Sequence, residues 1–292
     1  MSSKVPSRSS PILPLERASV FFDGIFSKPK LSHPEGVAVG PGGWIWCGNQ
    51  DGDILRIAPD GGTMEKVAST GGFALGLAFD GDRACFVCDL KHAAVFRLDL
   101  QSRELTRFSQ PGVRIPNFPL VDHRRHRLLV SDSHASGKPG PGIWAYDLTT
   151  GEGRLWYEKS LNFANGLAMD KGALLVCETF AYEITRIPIL PDGEAGEAAP
   201  FASDLPGLPD GIAFDHSGDL VVGCYEPSRL LRISSDGSET RLLIEDPTAH
   251  TFCHPTNIAF DGDRLFTANL GRWHITRVEM DKGARPLWEA SA

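Results

Sequence analysis

The sequence predicts an all-β fold, a six-bladed β-propeller with four-stranded blades. Three observations predict it. A six-residue motif recurs six times, at 34–39, 74–79, 116–121, 164–169, 209–214 and 255–260, with intervals of 40 to 48 residues. Each copy is followed by the same order of short apolar runs. Gly and Pro are abundant, 31 and 21 of 292 residues, and no long amphipathic helical pattern occurs. A period in the forties with strand-like content is the mark of small sheets arrayed around an axis.

The motif itself reads as the innermost strand. A second strand follows in every repeat: Trp44-Ile45-Trp46-Cys47, Cys85-Phe86-Val87-Cys88, Arg127-Leu128-Leu129-Val130, Leu174-Leu175-Val176-Cys177, Leu220-Val221-Val222-Gly223 and Arg264-Leu265-Phe266-Thr267. Tight turns such as Asp80-Gly81-Asp82 and Asp261-Gly262-Asp263 separate the first strand from the second, as Gly supplies the positive φ that such turns need. Third strands follow, among them Ile54-Leu55-Arg56-Ile57, Ile143-Trp144-Ala145-Tyr146 and Leu230-Leu231-Arg232-Ile233. Turns such as Pro59-Asp60-Gly61-Gly62 and Pro191-Asp192-Gly193 then lead to a fourth apolar stretch, such as Arg241-Leu242-Leu243-Ile244.

A ring of blades must close. Ala18-Ser19-Val20-Phe21-Phe22 has the look of the outer strands that precede the other motifs, and is expected to join the last blade. Arg285-Pro286-Leu287-Trp288 is the rival for that place, or its neighbour. Residues 1–16 read as a flexible arm and 17–292 as a single propeller domain.

Composition narrows the function. A formal net charge of −8 argues against nucleic acid as partner, since phosphate binding wants a basic face. No run of about 18 apolar residues suggests a membrane span. The polar, Pro-interrupted start Met1-Ser2-Ser3-Lys4-Val5-Pro6 lacks the apolar core of a secretory signal, so a cytoplasmic location is expected. Of the six cysteines, Cys47, Cys88, Cys177 and Cys224 recur 12 to 14 residues after their motif position. Equivalent places on different blades point to small buried side chains, too far apart to bridge.

The second motif residue occupies the same place on every blade. Around the ring it is Glu35, Leu75, Asn117, Asn165, Asp210 and Thr256. Taken singly, Asn or Asp before Gly is a common turn. Four oxygen-bearing side chains at one repeat position, brought together by ring closure, make a different proposition. Two carboxylates balance a divalent charge, and two amide oxygens add neutral ligands, as a hard cation requires. Glu35, Asn117, Asn165 and Asp210 are therefore the expected ligands of one divalent cation, calcium first, with magnesium, manganese or zinc as alternatives. Leu75 and Thr256 show that the fold tolerates other residues there.

Pro34-Glu35-Gly36, Pro116-Asn117, Ala164-Asn165-Gly166 and Pro209-Asp210-Gly211, taken in order, resemble the landmarks of the SMP-30/gluconolactonase/LRE-like family. The resemblance extends over about residues 18–288 and includes the stretches 142–152 and 174–179. It implies a six-bladed propeller, one catalytic divalent metal and hydrolysis of a lactone or related ester, hence a small-molecule substrate. It also implies that Glu35, Asn165 and Asp210 are metal ligands, and Asn117 a further ligand or a substrate contact. The chain departs from the family at Glu35-Gly36-Val37-Ala38, where Glu-Gly-Pro and then Trp is frequent. It departs again at Asn117-Phe118, where Asn-Asp is frequent. Strictosidine-synthase-like propellers share several landmarks and imply the alternative of an enzyme without a catalytic metal; a non-catalytic binding propeller is the third reading.

Other residues belong to the same mouth by their place in the repeat. Asn49, Asp89, Asp132, Glu178, Tyr225 and Asn269 end second strands and are candidates to hold the ligands. Asp210 is the expected general base and His254 the rival. Arg114, His134 and Tyr182, with Asn117, are the candidate substrate contacts; Trp273 is a candidate apolar wall, and the loops 133–141 and 179–183 are candidate lids.

Overall fold

A computed structural model describes residues 10–281. Six antiparallel four-stranded sheets form, and each of the first five is built from consecutive strands. Blade 1 comprises Val37–Val39, Ile45–Gly48, Asp53–Ile57 and Met64–Ser69. Blade 2 comprises Ala74–Asp80, Ala84–Asp89, Ala94–Asp99 and Leu105–Arg107. Blade 3 comprises Pro116–Asp122, Arg127–Asp132, Gly140–Asp147 and Gly153–Leu161. Blade 4 comprises Ala164–Asp170, Ala173–Glu178, Glu183–Pro188 and Ala199–Ala202. Blade 5 comprises Pro209–Phe214, Leu220–Cys224, Arg229–Ile233 and Thr240–Glu245. Blade 6 takes Pro255–Asp261, Arg264–Asn269 and His274–Glu279 from the end of the chain and Ala18–Asp23 from its start. Helical structure among the described residues is limited to three-residue 3₁₀ turns.

Ring closure falls to Ala18–Asp23, which pairs with His274–Glu279 from Ala18 opposite Val278 to Asp23 opposite His274. The rival segment Arg285-Pro286-Leu287-Trp288 lies outside the described residues. Within the stretch expected as an arm, the Ile12 and Leu13 amides donate to the Leu242 and Leu243 carbonyls, and Leu13 is buried against blades 5 and 6. The apolar Ile12-Leu13 pair gains there a buried surface that a solvated arm would forgo.

Core side chains gather in six clusters, one between each pair of adjacent blades. Both faces of every blade are therefore covered. This explains why the second strands read as continuous apolar runs and not as alternation: Ala84–Asp89, Arg127–Asp132 and Ala173–Glu178 are buried along their whole length. The outer strands, with one edge free, are less buried, as in Met64–Ser69, where no residue is fully buried. All six cysteines are buried and free, as the repeat position of four of them predicts.

The inner strands carry the feature that shapes the site. Blades 2 to 6 share a bulge at one place: Ala74 pairs with Asp89 but Leu77 with Val87, and the same offset recurs after Pro116, Ala164, Pro209 and Pro255. The extra residue falls on the second and third motif positions, where a bulge re-aims side chains. The third position is Gly in four blades because no side chain fits. A Cβ on Gly36 would lie 2.1 Å from the Leu75 carbonyl oxygen; on Gly76, 2.6 Å from that of Asn117; on Gly166, 2.4 Å from that of Asp210; and on Gly211, 2.6 Å from the Asn257 Cα. Each glycine thus lets one blade's motif backbone touch the next.

Gly36→Ala is expected to destabilise the fold by about 1–3 kcal/mol, the usual cost of overpacking. The check is the urea unfolding midpoint. An unchanged midpoint would show that the inner strands can part without cost.

Candidate functional site

The bulges and the Gly contacts bring the second motif residues to one end of the central channel. Asn117, Asn165, Asp210 and Thr256 are each at least 96% buried, Asp210 being 4% exposed. Glu35 retains more surface at the mouth, although its carboxyl is surrounded by protein. Asn117 Nδ2 donates to Ser133 Oγ at 3.1 Å, and Asn165 Nδ2 to Thr179 Oγ1 at 3.3 Å. Asp210 is bonded by Asn165 and by Asn257, whose Nδ2 donates to Asp210 Oδ1 at 3.3 Å. Thr256 Oγ1 donates to the Glu35 carbonyl at 2.6 Å, and the Asn257 amide adds a second bond there at 3.3 Å. Blade 6 is thereby tied to blade 1 at the site itself.

Three buried amide oxygens here have no partner: Asn117 Oδ1, Asn165 Oδ1 and Asn257 Oδ1. A buried carbonyl oxygen without a donor costs about 1–3 kcal/mol, so three in one cup point to a ligand that accepts lone pairs. The two carboxyls tell the same story. Burial first, and the charge of Asp210 second, push Glu35 up to about 8. Burial pushes Asp210 up to about 7, against the bonds from Asn165 and Asn257 that favour its ionised form. No cluster of three or more His, Cys, Asp or Glu occurs among the described residues. The donor set is two carboxylates with neutral amide oxygens, which suits a hard divalent cation and not a thiolate–imidazole zinc site.

Asn257 is the residue that sequence reasoning missed. It follows Thr256 by one and stands at the motif position where four other blades have Gly. The signal was present: an amide in place of a glycine that the packing otherwise demands.

The second-strand ends act one step away from the role expected of them. Asp132 accepts from the amides of Arg114, Ile115 and His134 and from Trp144 Nε1. Glu178 accepts from the Asn162 amide and Thr185 Oγ1, and Asn49 from the amides of Asp51 and Asp53. Asp89 accepts from the His92 amide and Thr70 Oγ1, while Asn269 accepts from the Cys253 amide. These side chains fasten the mouth loops. The residues that reach Asn117 and Asn165 are the next ones, Ser133 and Thr179, because successive strand residues face opposite sides. Tyr225 lies close enough to Glu35 and Asp210 for their charges to raise its phenol's pKa, after burial, and it forms a wall of the mouth.

Arg114 and His134 do come together: Arg114 Nη1 lies 3.2 Å from His134 Nε2. Arg114 is exposed, and His134 follows Ser133, which binds Asn117. Tyr182 is 45% exposed and contributes its backbone carbonyl to Leu205. Trp273 stacks edgewise on His33 at 4.8 Å, with the Lys30 ammonium 4.4 Å from its ring. His254 is stacked on Tyr225 at 4.7 Å, and its Nδ1 lies 3.2 Å from the Tyr225 carbonyl and 3.0 Å from Glu226 Oε1. Two acceptors at Nδ1 favour a proton on that nitrogen. His33, Phe163 and His254 each precede a motif and each have positive φ, 43°, 65° and 54°. This unfavourable conformation recurs at the point where the chain turns into the cup. Of the candidate lid 133–141, residues 133–139 lie between strands and 140–141 begin the next strand, while in the lid 179–183 Thr179–Ala181 forms a 3₁₀ turn. A cleft of about 440 Å³ between blades 2 and 3, lined by Arg97, Thr106, Arg107 and Phe108, has none of the cup's residues.

With both carboxyls raised, the folded, metal-free chain binds more protons than the unfolded chain between their ordinary values, 4.5 and 3.8, and about 8 and 7. Stability from this pair is present in full below about 4 and is lost as pH rises through 7 to 8. Thermal melts in chelator should show a Tm that falls from pH 5 to 8, with a flatter slope in Glu35→Gln/Asp210→Asn. A Tm that rises in both would contradict the assignment.

Comparison with known proteins agrees with this architecture. The model of the SMP-30/gluconolactonase/LRE-like region matches residues 75–269, and that of the strictosidine synthase-like N-terminal region matches 26–57. The chain is 28% identical to strictosidine synthase-like 6 of Arabidopsis thaliana over 306 aligned residues, 86% of this chain and 80% of that one. It is 32% identical to a 6-deoxy-6-sulfogluconolactonase of Pseudomonas putida over 129 residues, 42% of this chain and 41% of that one. It is 26% identical to adipocyte plasma membrane-associated protein of Salmo salar over 197 residues, 67% of this chain but 42% of the salmon protein's length. Among solved structures, regucalcin of Agrobacterium tumefaciens, described as a calcium-binding protein, superposes with a TM-score of 0.70 at 18% identity, over 86% of this chain and 91% of the other. No helix among the described residues is long and apolar enough to cross a membrane. The matched region spans well over half of the sequence, and the chain belongs to the SMP-30/gluconolactonase/LRE-like family.

Proposed function

We propose that this protein is a metal-dependent hydrolase of a lactone or a related small ester. The observation that carries the reading is the cup itself: three partnerless amide oxygens and two carboxyls of raised pKa at one end of the channel. Glu35, Asn117, Asn165 and Asp210 would hold one divalent cation, calcium first by ligand chemistry, with magnesium, manganese or zinc as alternatives. A cation there would supply Lewis-acid stabilisation of the negative charge that develops on a carbonyl oxygen under attack.

The chain's own residues supply the rest. Asp210 accepts the proton of the attacking water at a carboxylate oxygen, Oδ1 being held by Asn257 Nδ2. Glu35 serves mainly to balance charge. Arg114, with His134 beside it, and Tyr182 contact the substrate, and Asn117 combines a ligand's role with a substrate contact. The family and the partial likeness to a sulfogluconolactonase support lactone chemistry. The regucalcin likeness supports the fold, and the calcium named for that protein accords with the oxygen-bearing side chains of the cup.

The strictosidine-synthase-like relative keeps a second reading in view, an enzyme that needs no metal for its chemistry. Chelation separates the two. A panel of sugar lactones and aryl esters should be hydrolysed by the calcium- or manganese-loaded protein, lose turnover in chelator and regain it on adding the ion back. Turnover indifferent to chelation would support the second reading. Asp210→Asn should lose at least about 10²-fold in kcat, within the range for a lost general base, while His254→Ala stays within a few fold. The reverse pattern, with metal still bound, would transfer the base to His254.

A further inference from the structure

We infer that Ser133 and Thr179 are positioning residues that fix which end of each asparagine amide faces the cup, and that they do so as one hydrogen-bonded relay from blade to blade. The inference rests on the metal-site reading above. Ser133 Oγ donates to the Ala164 carbonyl at 2.8 Å, and Thr179 Oγ1 to the Pro209 carbonyl at 2.8 Å. A hydroxyl has one proton. With that proton committed, each oxygen has only lone pairs left to offer, so the neighbouring amide presents its Nδ2 and turns its Oδ1 the other way, an orientation that the Asp210 carboxylate also calls for at Asn165. The bonds of 3.1 Å from Asn117 and 3.3 Å from Asn165 are those contacts, and the Oδ1 atoms they turn away are the partnerless ones.

The position of the two hydroxyls is set by the fold. Both residues stand directly after the second strand, and their amides bond the Ile115 and Phe163 carbonyls. Leu90, Tyr225 and Leu270 occupy the same place in blades 2, 5 and 6, with amide bonds to Phe73, Leu208 and His254. A hydroxyl appears in the two blades whose motif residue is Asn. It is replaced by an apolar or aromatic side chain beside Leu75, Asp210 and Thr256. Chemistry explains the pattern: an amide has two unlike ends that must be told apart, whereas a carboxylate has two equal oxygens.

The accepting carbonyls extend the consequence. Ala164 immediately precedes Asn165, and Pro209 immediately precedes Asp210, so each hydroxyl orients its own blade's amide and pins the backbone of the next blade's ligand. Asn257 Nδ2 continues the line to Asp210, and Thr256 Oγ1 pins Glu35 through its carbonyl. Four ligand residues on blades 3, 4, 5 and 1 are thereby set in register by bonds between blades.

The test is calorimetric titration of the metal-free full-length chain with calcium and with manganese. Thr179→Val and Ser133→Ala should each weaken binding about 10- to 100-fold, the range seen when the residue supporting a ligand is lost. Thr179→Ser and Ser133→Thr, which keep the hydroxyl, should bind within a few fold of wild type. The melting temperature of each metal-free variant reports folding separately, so a variant that fails to fold is set aside for its counterpart on the other blade. Thr179→Val or Ser133→Ala binding as tightly as wild type would overturn the relay and leave the metal site standing. Hydroxyl-keeping variants as weak as Thr179→Val would overturn it as well, since bulk and not the proton would then be decisive. A wild-type chain that takes up neither ion would overturn the metal reading and the relay together.

Discussion

Everything at the centre of this molecule depends on how closely the inner strands approach one another. Six blades packed face to face leave a channel so narrow that a methyl group at Gly36, Gly76, Gly166 or Gly211 would strike the next blade's backbone. That closeness leaves no room for a side chain at the glycines, and the adjoining motif residues of blades 3 to 5 sit at a bulge. The apolar clusters between blades hold the strands at that distance. None of the polar residues could converge without them, because burying amides and carboxyls is unfavourable unless something else compensates.

Such a centre is costly to bury on its own. Two carboxyls of raised pKa and three amide oxygens without donors share that centre, and this is the combination on which the proposed cation site rests. The hydroxyls of Ser133 and Thr179 show how the blades manage this cost. They convert an amide that could face either way into one that offers oxygen to the cup. They also link the motif strands of successive blades through the Ala164 and Pro209 carbonyls. Precision at the site thus comes from the seams of the ring, where single blades would be too pliable to supply it.

Much of this was legible in the sequence. The six-fold repeat announced the blades, and aligning the repeats placed Glu35, Asn117, Asn165 and Asp210 at one level of the channel. The strand that closes the ring was only half legible: the apolar run at 18–22 had an outer-strand pattern, but the pattern left Arg285-Pro286-Leu287-Trp288 as a rival, and the pairing of Ala18–Asp23 with His274–Glu279 came from the structure. What escaped was everything that depends on a shift of one residue. Asn257 lies one past the motif position in blade 6, and the supports Ser133 and Thr179 lie one past the strand ends Asp132 and Glu178. Alternation along a strand sends neighbours to opposite sides, so a register taken from repeat spacing alone can choose the wrong one of the pair. The place of His254 against Tyr225 and Glu226 was also hidden, because it depends on a left-handed residue and on a loop from another blade.

We propose that residues from separate blades hold one divalent cation. Equilibrium dialysis of the full-length protein against calcium, followed by elemental analysis, tests it most directly. The account predicts one ion per chain for wild type and a loss of that ion in Glu35→Gln/Asp210→Asn, with circular dichroism unchanged. A wild type that retains no calcium, magnesium, manganese or zinc, or a double variant that binds as wild type does, would contradict it.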